Sequence, residues 1–210
     1  MGMTAEAASY KTVRAPAEAE LEEKRSVFIG YAAPVGSEEQ ALSLLAARRA
    51  AYPDARHHVY AYILRENHTA RFSDDREPQG SAGMPVLEYL RRAELYDLLV
   101  VVTRYFGGIL LGTGGLARAY TQAARMAVEA AGPVTRARLS EMSLTCSYSD
   151  YQTLLPLLSA VQLDDSAFGT SVELRLSLPE PAEEAFVRQV TESCGGRVAL
   201  THIGERYDFI

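Results

Sequence analysis

The run Leu98-Leu99-Val100-Val101-Val102 restricts the fold of this chain more than any other segment. Residues 97–103 are almost uninterruptedly apolar, which at strand length reads as a central, buried strand of a sheet. The run is too short for a bilayer, where a spanning helix needs roughly 20 apolar residues. It leads into a glycine-rich segment, residues 107–115, and then an Ala-rich stretch, 116–131, expected to be a helix that stops at Gly132-Pro133. That stop is the expected domain boundary. At 210 residues the chain suits two cores better than one.

Upstream, Val27-Phe28-Ile29-Gly30-Tyr31 predicts a strand ended by Pro34 and Gly36. Ser37 with Gln40 three residues on has the form of a capping box and predicts a helix over 38–51, broken at Tyr52-Pro53-Asp54. Residues 59–64 and 69–73 read as a hairpin joined through Glu66-Asn67-His68. A helix is expected over 84–92, with Pro85 in its first turn. Residues 1–23 lack apolar periodicity after Val13 and are expected to be a flexible segment. They also lack a basic region followed by an apolar core, so a cytoplasmic location without membrane attachment is expected.

The second half reads as strand 137–148, helix 150–158, strand 162–168, a turn at Gly169, strand 171–178, helix 180–193 and strand 196–208. This is the βαββαβ order of ferredoxin-like folds. Asp150 and Glu180-Pro181 are candidate helix starts, and Gly195-Gly196 a candidate stop. The expected organisation is α+β, with domains at 24–132 and 137–210.

Charge is unevenly spread. Up to Thr135 there are 15 Lys and Arg against 16 Asp and Glu, a balance of −1; from Arg136 on there are 6 against 11, a balance of −5. An overall −6 argues against a protein that coats nucleic acid through a broad positive field, and leaves local arginine clusters in the first half. The two cysteines, Cys146 and Cys194, read as buried thiols of a reducing compartment, with contact between them the alternative.

The glycine segment supplies the main candidate site. Backbone N–H groups around Gly107, Gly108, Gly112, Thr113, Gly114 and Gly115, placed before a helix, favour an anion. Arg104 and Arg118 flank the segment as bidentate donors, and Tyr105, Phe106 and Tyr120 offer faces on which unpaired bases stack. Tight turns and close helix packing are the plainer use of the same glycines. The segment lacks the Gly-Lys-Ser/Thr ending of a P-loop and the spacing of a dinucleotide fingerprint.

Residues 73–83 concentrate Asp74, Asp75 and Glu77 with Gly80 and Gly83 ahead of a helix. Three acids suit a divalent cation or general acid–base work, yet neighbouring Asp74 and Asp75 point apart in an extended chain and acids near a helix start are ordinary caps. His57 and His58 face opposite sides of their strand, so they do not chelate one metal, and no zinc spacing accompanies them. Together these residues are expected to line the groove, with no catalytic residue, metal or cofactor assigned.

Read together, Ala55-Arg56-His57-His58-Val59-Tyr60-Ala61-Tyr62, Ser73-Asp74-Asp75-Arg76-Glu77-Pro78-Gln79-Gly80-Ser81-Ala82-Gly83 and residues 103–120 resemble the signature of the IMPACT family, in its bacterial YigZ-like branch. The acidic second half resembles that branch's C-terminal domain, which is similar to domain V of elongation factor G. The resemblance implies an N-terminal domain of the ribosomal protein S5 domain 2-like class with helices on one face of a sheet. It also implies translational regulation, which in eukaryotic members responds to amino-acid starvation by competing for the activator of a kinase. Bacteria lack that kinase pathway, leaving an association with translation and an affinity for nucleic acid. Departures accompany it: Arg76 stands where glycine is usual, Leu110 where a basic residue is common, and Val27 where Lys or Arg is frequent.

The expected function is a translation-associated binding protein whose partner is RNA, a ribosome or a protein of the translation machinery. The alternatives are a metal-assisted or peptidase-like hydrolase, which needs Asp74, Asp75 or Glu77 to converge with His57 or His58 in a pocket, and a sensor of a small anionic metabolite.

Overall fold

The computed structural model describes residues 9–210. Among the described residues the chain divides into two compact units, one holding Tyr10–Thr135 and the other Ser9 with Arg136–Ile210. Of the segment expected to be flexible, residues 1–8 lie outside the described residues. The rest is strand: β1 (Ser9–Val13) and β2 (Ala17–Glu23). Tyr96 N–H donates to the Lys11 carbonyl at 2.9 Å, and Val13 is fully buried. Along β2 the alternation Ala17, Ala19, Leu21 against Glu18, Glu20, Glu22 has the strand period of two. Sequence reading missed it because small residues carry the inner face.

The N-terminal sheet is made of β2 with β3 (Ser26–Pro34), β4 (His57–Leu64), β5 (Thr69–Ser73) and β6 (Leu98–Tyr105). Its order is β2-β3-β6-β4-β5, so the apolar run lies on the middle strand. Neighbours are antiparallel throughout, with Val100 opposite Ala32 on one side and Ala61 on the other.

Three helices cover this sheet: α1 (Glu38–Ala51), α2 (Gly83–Arg92) and α3 (Gly112–Ala130). Side chains of alternating strand positions divide between two cores. Phe28, Val59, Ala61, Val100 and Val102 pack with α2 and α3, while Tyr31, Tyr62, Leu99 and Val101 pack with Ala41 and Leu45 of α1. Helices on a single face were expected; α1 instead covers the second face, as a strand apolar on both sides requires. Ser37 caps α1 by accepting from Gln40 N–H, while Gln40 accepts from Gly36 N–H at 2.7 Å. Helix α3 begins one turn before the expected position, so Gly112–Gly115 form its first turn instead of a loop.

The C-terminal unit runs β7 (Pro133–Cys146), α4 (Tyr148–Leu158), β8 (Gln162–Phe168), β9 (Val172–Pro179), α5 (Glu183–Ser193) and β10 (Leu200–Phe209). Within residues 136–210 the antiparallel order is β10-β7-β9-β8, that of a ferredoxin-like βαββαβ unit, and β1 is the fifth strand of this sheet. Helix α4 is capped by Ser147, whose hydroxyl accepts from Asp150 N–H at 3.1 Å, so Asp150 is not the cap itself. Residues 180–182 make a short 3-10 turn before α5. Cys146 and Cys194 are free, buried thiols, each pushed up first by burial. The fold as a whole is mixed α/β, and no helix among the described residues is long and apolar enough to cross a membrane.

Candidate functional site

The predicted residues separate into a buried polar cluster and an open rim. Glu77 is the centre of the cluster, with its side chain 4% exposed. One of its oxygens accepts from Arg104 Nη1 at 2.6 Å and from the Tyr120 hydroxyl at 2.7 Å, and His57 Nε2 lies 3.9 Å away. Strand register brings these groups together: His57 is paired with Arg104 across β4 and β6, and Tyr120 comes from the buried face of α3. Tyr120 stacks edge-on against Phe28, with centroids 5.1 Å apart. Burial first, and then the Glu77 carboxylate, pushes its phenol well above the ordinary value.

Arg104 was expected as a free arm of an anion cradle, and the structure gives it to Glu77. A cation taken this far from water needs a carboxylate beside it, and here it has one. Tyr120 was expected as a stacking face and is fully buried. Phe106, by contrast, is 51% exposed, and the Arg104 guanidinium lies over its ring at 5.5 Å. Tyr105 is half-buried and donates its hydroxyl to Asp54 at 2.9 Å.

The acidic motif is a set of anchors. Asp74 accepts from the N–H groups of Gly80, Ala82 and Gly83 at 2.8–3.0 Å, holding the first turn of α2. Asp75 turns the other way and accepts from His58 N–H at 2.7 Å, and its carbonyl meets His57 Nδ1 at 2.9 Å. Arg76 has φ +73°, a left-handed conformation that favours glycine. Its side chain donates to the Arg56 carbonyl. His58 lies on the opposite sheet face, 3.1 Å from the Thr103 hydroxyl, and burial, opposed by nearby Asp75, holds its pKa below the usual imidazole value. Acid and histidine therefore do converge, in a cluster whose carboxylates are engaged, with Arg104 Nε left as a buried donor without a hydrogen-bond partner. Among the described residues no group of three or more His, Cys, Asp or Glu is arranged to hold a metal.

Sequence reading missed Ser26, which is fully buried. Its hydroxyl accepts from Gly107 N–H at 3.1 Å and from Arg104 Nη2 at 3.4 Å, tying the glycine segment to the start of β3. A Cβ on Gly107 would sit 2.0 Å from the Arg25 carbonyl carbon, so glycine alone lets the two backbones meet. The turn clamped in this way, Lys24-Arg25, has positive φ at both residues, 48° and 62°, as in a type I′ hairpin.

Beside this turn runs a groove of about 880 Å³ between β2, α2 and α3. Leu21, Tyr89 and Leu111 contribute its apolar lining, and Lys24, Arg92, Arg118 and Arg125 its cations, against one carboxylate, Glu23. Arg125 is paired with Glu129 at 2.8 Å. Among the described residues, no carboxylate lies within 4.0 Å of Lys24, Arg25, Arg92 or Arg118. Gly115 lines the groove, while Gly108, Gly112, Thr113 and Gly114 are exposed nearby in sequence. The first turn of α3 has no side-chain cap, so its N–H groups add to the positive end. His57, His58, Asp74, Asp75, Glu77, Gly80 and Gly83, expected to line the groove, line none of it.

The Impact N-terminal domain family matches residues 24–128, which hold all of this site except Leu21 and Glu23, and a domain of unknown function (DUF1949) matches residues 144–197. The chain belongs to the IMPACT family. An IMPACT family member of Haemophilus influenzae is 34% identical over 94% of this chain and 100% of its own length. IMPACT family member YigZ of Escherichia coli is 34% identical over 94% of this chain and 99% of its own. A crystal structure described as that of a hypothetical protein, 33% identical, covers 94% of this chain and 98% of its own with a TM-score of 0.59. These full-length relatives place the chain in the YigZ-like branch of the IMPACT family.

Proposed function

We propose that this IMPACT family protein is a translation-related regulatory protein whose N-terminal unit binds RNA or a ribosomal particle in the groove between β2, α2 and α3. One observation carries the reading: in a chain of net charge −6, three cations without ion-pair partners among the described residues, Lys24, Arg92 and Arg118, line a single groove whose floor is apolar. Lys24, Arg92 and Arg118 are free to meet phosphates there, and the uncapped first turn of α3 adds backbone donors. Arg104 serves the reading indirectly by holding the glycine segment in place. A hydrolase reading draws less support, because its acids and histidines are engaged with each other and with Arg104 away from the groove.

The test is binding to purified ribosomes and to a mixed RNA pool at two salt concentrations. Binding is expected to be modest and salt-sensitive, and a Lys24→Ala/Arg118→Ala double variant should lower the salt slope by about 2. Equal binding by wild type and double variant, or none by either at low salt, would hand the groove to a protein partner or a small anion. Saturable thermal stabilisation by one metabolite would favour the sensor.

A further inference from the structure

Beside the groove, three apolar side chains are left in water within one short segment: Phe106 at 51%, Ile109 at 41% and Leu110 at 82% exposed. Phosphates have no use for them. The segment is not a loose loop at its start, since Gly107 is pressed against the Arg25 and Ser26 backbone and its N–H is bonded to Ser26. Phe106 is therefore fixed immediately beside the Lys24-Arg25 turn. The buried Arg104 guanidinium covers one side of its ring at 5.5 Å, and half of the residue remains open to solvent. Arg104 is itself held by Glu77 and by Phe28 at 5.4 Å. The ring is thus positioned before any ligand arrives, so little ordering entropy is lost when a flat group stacks on it.

We infer that the ligand of this surface is an unpaired RNA segment, with one base stacked on Phe106 and its neighbour against Ile109 and Leu110. The inference rests on the RNA reading above and narrows it. A duplex hides its base faces and presents only phosphates and sugars, which the cations alone would satisfy; exposed aromatic and aliphatic side chains next to those cations find partners only on splayed bases. Lys24, Arg25 and Arg118 would then carry the backbone, and Phe106 would supply the preference for single strand.

Binding of the full chain to oligoadenylate, and to the same strand annealed to oligouridylate, tests this at low salt. Phe106→Ala should weaken single-strand binding about tenfold and leave duplex binding within error. Phe106→Tyr, which keeps a ring, should restore it. Because Phe106 is exposed, the thermal midpoint of each variant should match wild type, which separates stacking from misfolding. Equal loss on both RNAs, or no loss on the single strand, overturns the inference while leaving the groove reading intact, provided the Lys24→Ala/Arg118→Ala variant still weakens both. Failure of wild type to bind either RNA overturns the two together.

Discussion

The N-terminal unit buries its central ion pair, and the C-terminal unit leaves its own partly in water. Arg104 and Glu77 are 6% and 4% exposed at their side chains. In the other unit Arg206 is shared among Glu141, Asp164 and Asp208, with all four side chains 22–40% exposed. That network lies on the sheet face turned away from α4 and α5, since Glu141 neighbours the buried Met142 and points oppositely. The first arrangement fixes a shape: one carboxylate positions an arginine, a tyrosine and, through Arg104, the ring of Phe106. The second mostly offsets charge in a unit carrying a balance of −5. A buried pair is costly to break and tells little about net stability while intact; exposed pairs contribute little either way.

The difference is broken most directly by removing one acid from each unit. Glu77→Ala should destabilise the N-terminal unit by about 3–5 kcal/mol, because Arg104 is left buried without its partner. Asp164→Ala should cost about 1 kcal/mol or less in the C-terminal unit. Denaturant unfolding with hydrogen exchange to separate the units measures both, and similar costs would mean that the buried pair is better hydrated than its exposure implies.

Backbone approach gives the next largest contrast. Gly107→Ala should cost about 3 kcal/mol, since the new methyl meets backbone atoms at 2.0–2.4 Å that have no rotamer to escape into. Gly108→Ala, at φ +83° but in open space, should cost about 1 kcal/mol. In the C-terminal unit Gly204→Ala meets only the carboxylate end of Glu141 at 3.0 Å, which can swing aside. Its midpoint should barely move.

The smallest effect is in pH dependence. Unfolded His58 takes up a proton near 6.5, and the folded ring, held below that value by burial, resists it. Just below pH 6.5 the unfolded state therefore binds more protons, and the N-terminal unit loses stability as pH falls through that window. In the C-terminal unit, Arg197 and Ser147 hold Asp150 below the usual carboxylate range, and Arg206 with Ser177 outweighs burial to do the same for Asp164. Their contribution persists until pH drops below about 4. Melting at pH 7 and pH 5 should shift the N-terminal unit alone, and His58→Gln should remove that shift.

Much of the fold was legible in the sequence because its signals are local. The run at 98–102 marks the middle strand, Ser37 and Gln40 mark the start of α1, and Gly195-Gly196, with φ of 58° and 76°, marks the end of α5. Strand β2 escaped because its inner face is Ala17, Ala19 and Leu21 and its outer face glutamate, a composition that favours helix and lacks bulk. The site was legible in part. Residue types and motifs were identifiable, but which arginine stays free is decided by contacts across 27 and 43 residues, from Glu77 to Arg104 and to Tyr120. Nothing near Arg104 in sequence distinguishes it from Arg118.

The strand order β2-β3-β6-β4-β5 also bears on how the chain comes to be folded. The hairpins β2–β3 and β4–β5 can each form from neighbouring sequence, but they share no hydrogen bonds with one another and are joined only when β6 inserts between them. During synthesis both hairpins must wait with the open edges of β3 and β4 unprotected until residues 98–105 leave the ribosome. Those edges are rich in Val, Ile, Phe and Tyr, so a chain halted before Leu98 carries two templates for intermolecular pairing. Closure of the sheet is thus a late, long-range event, and the window before it is when this protein is most exposed to aggregation.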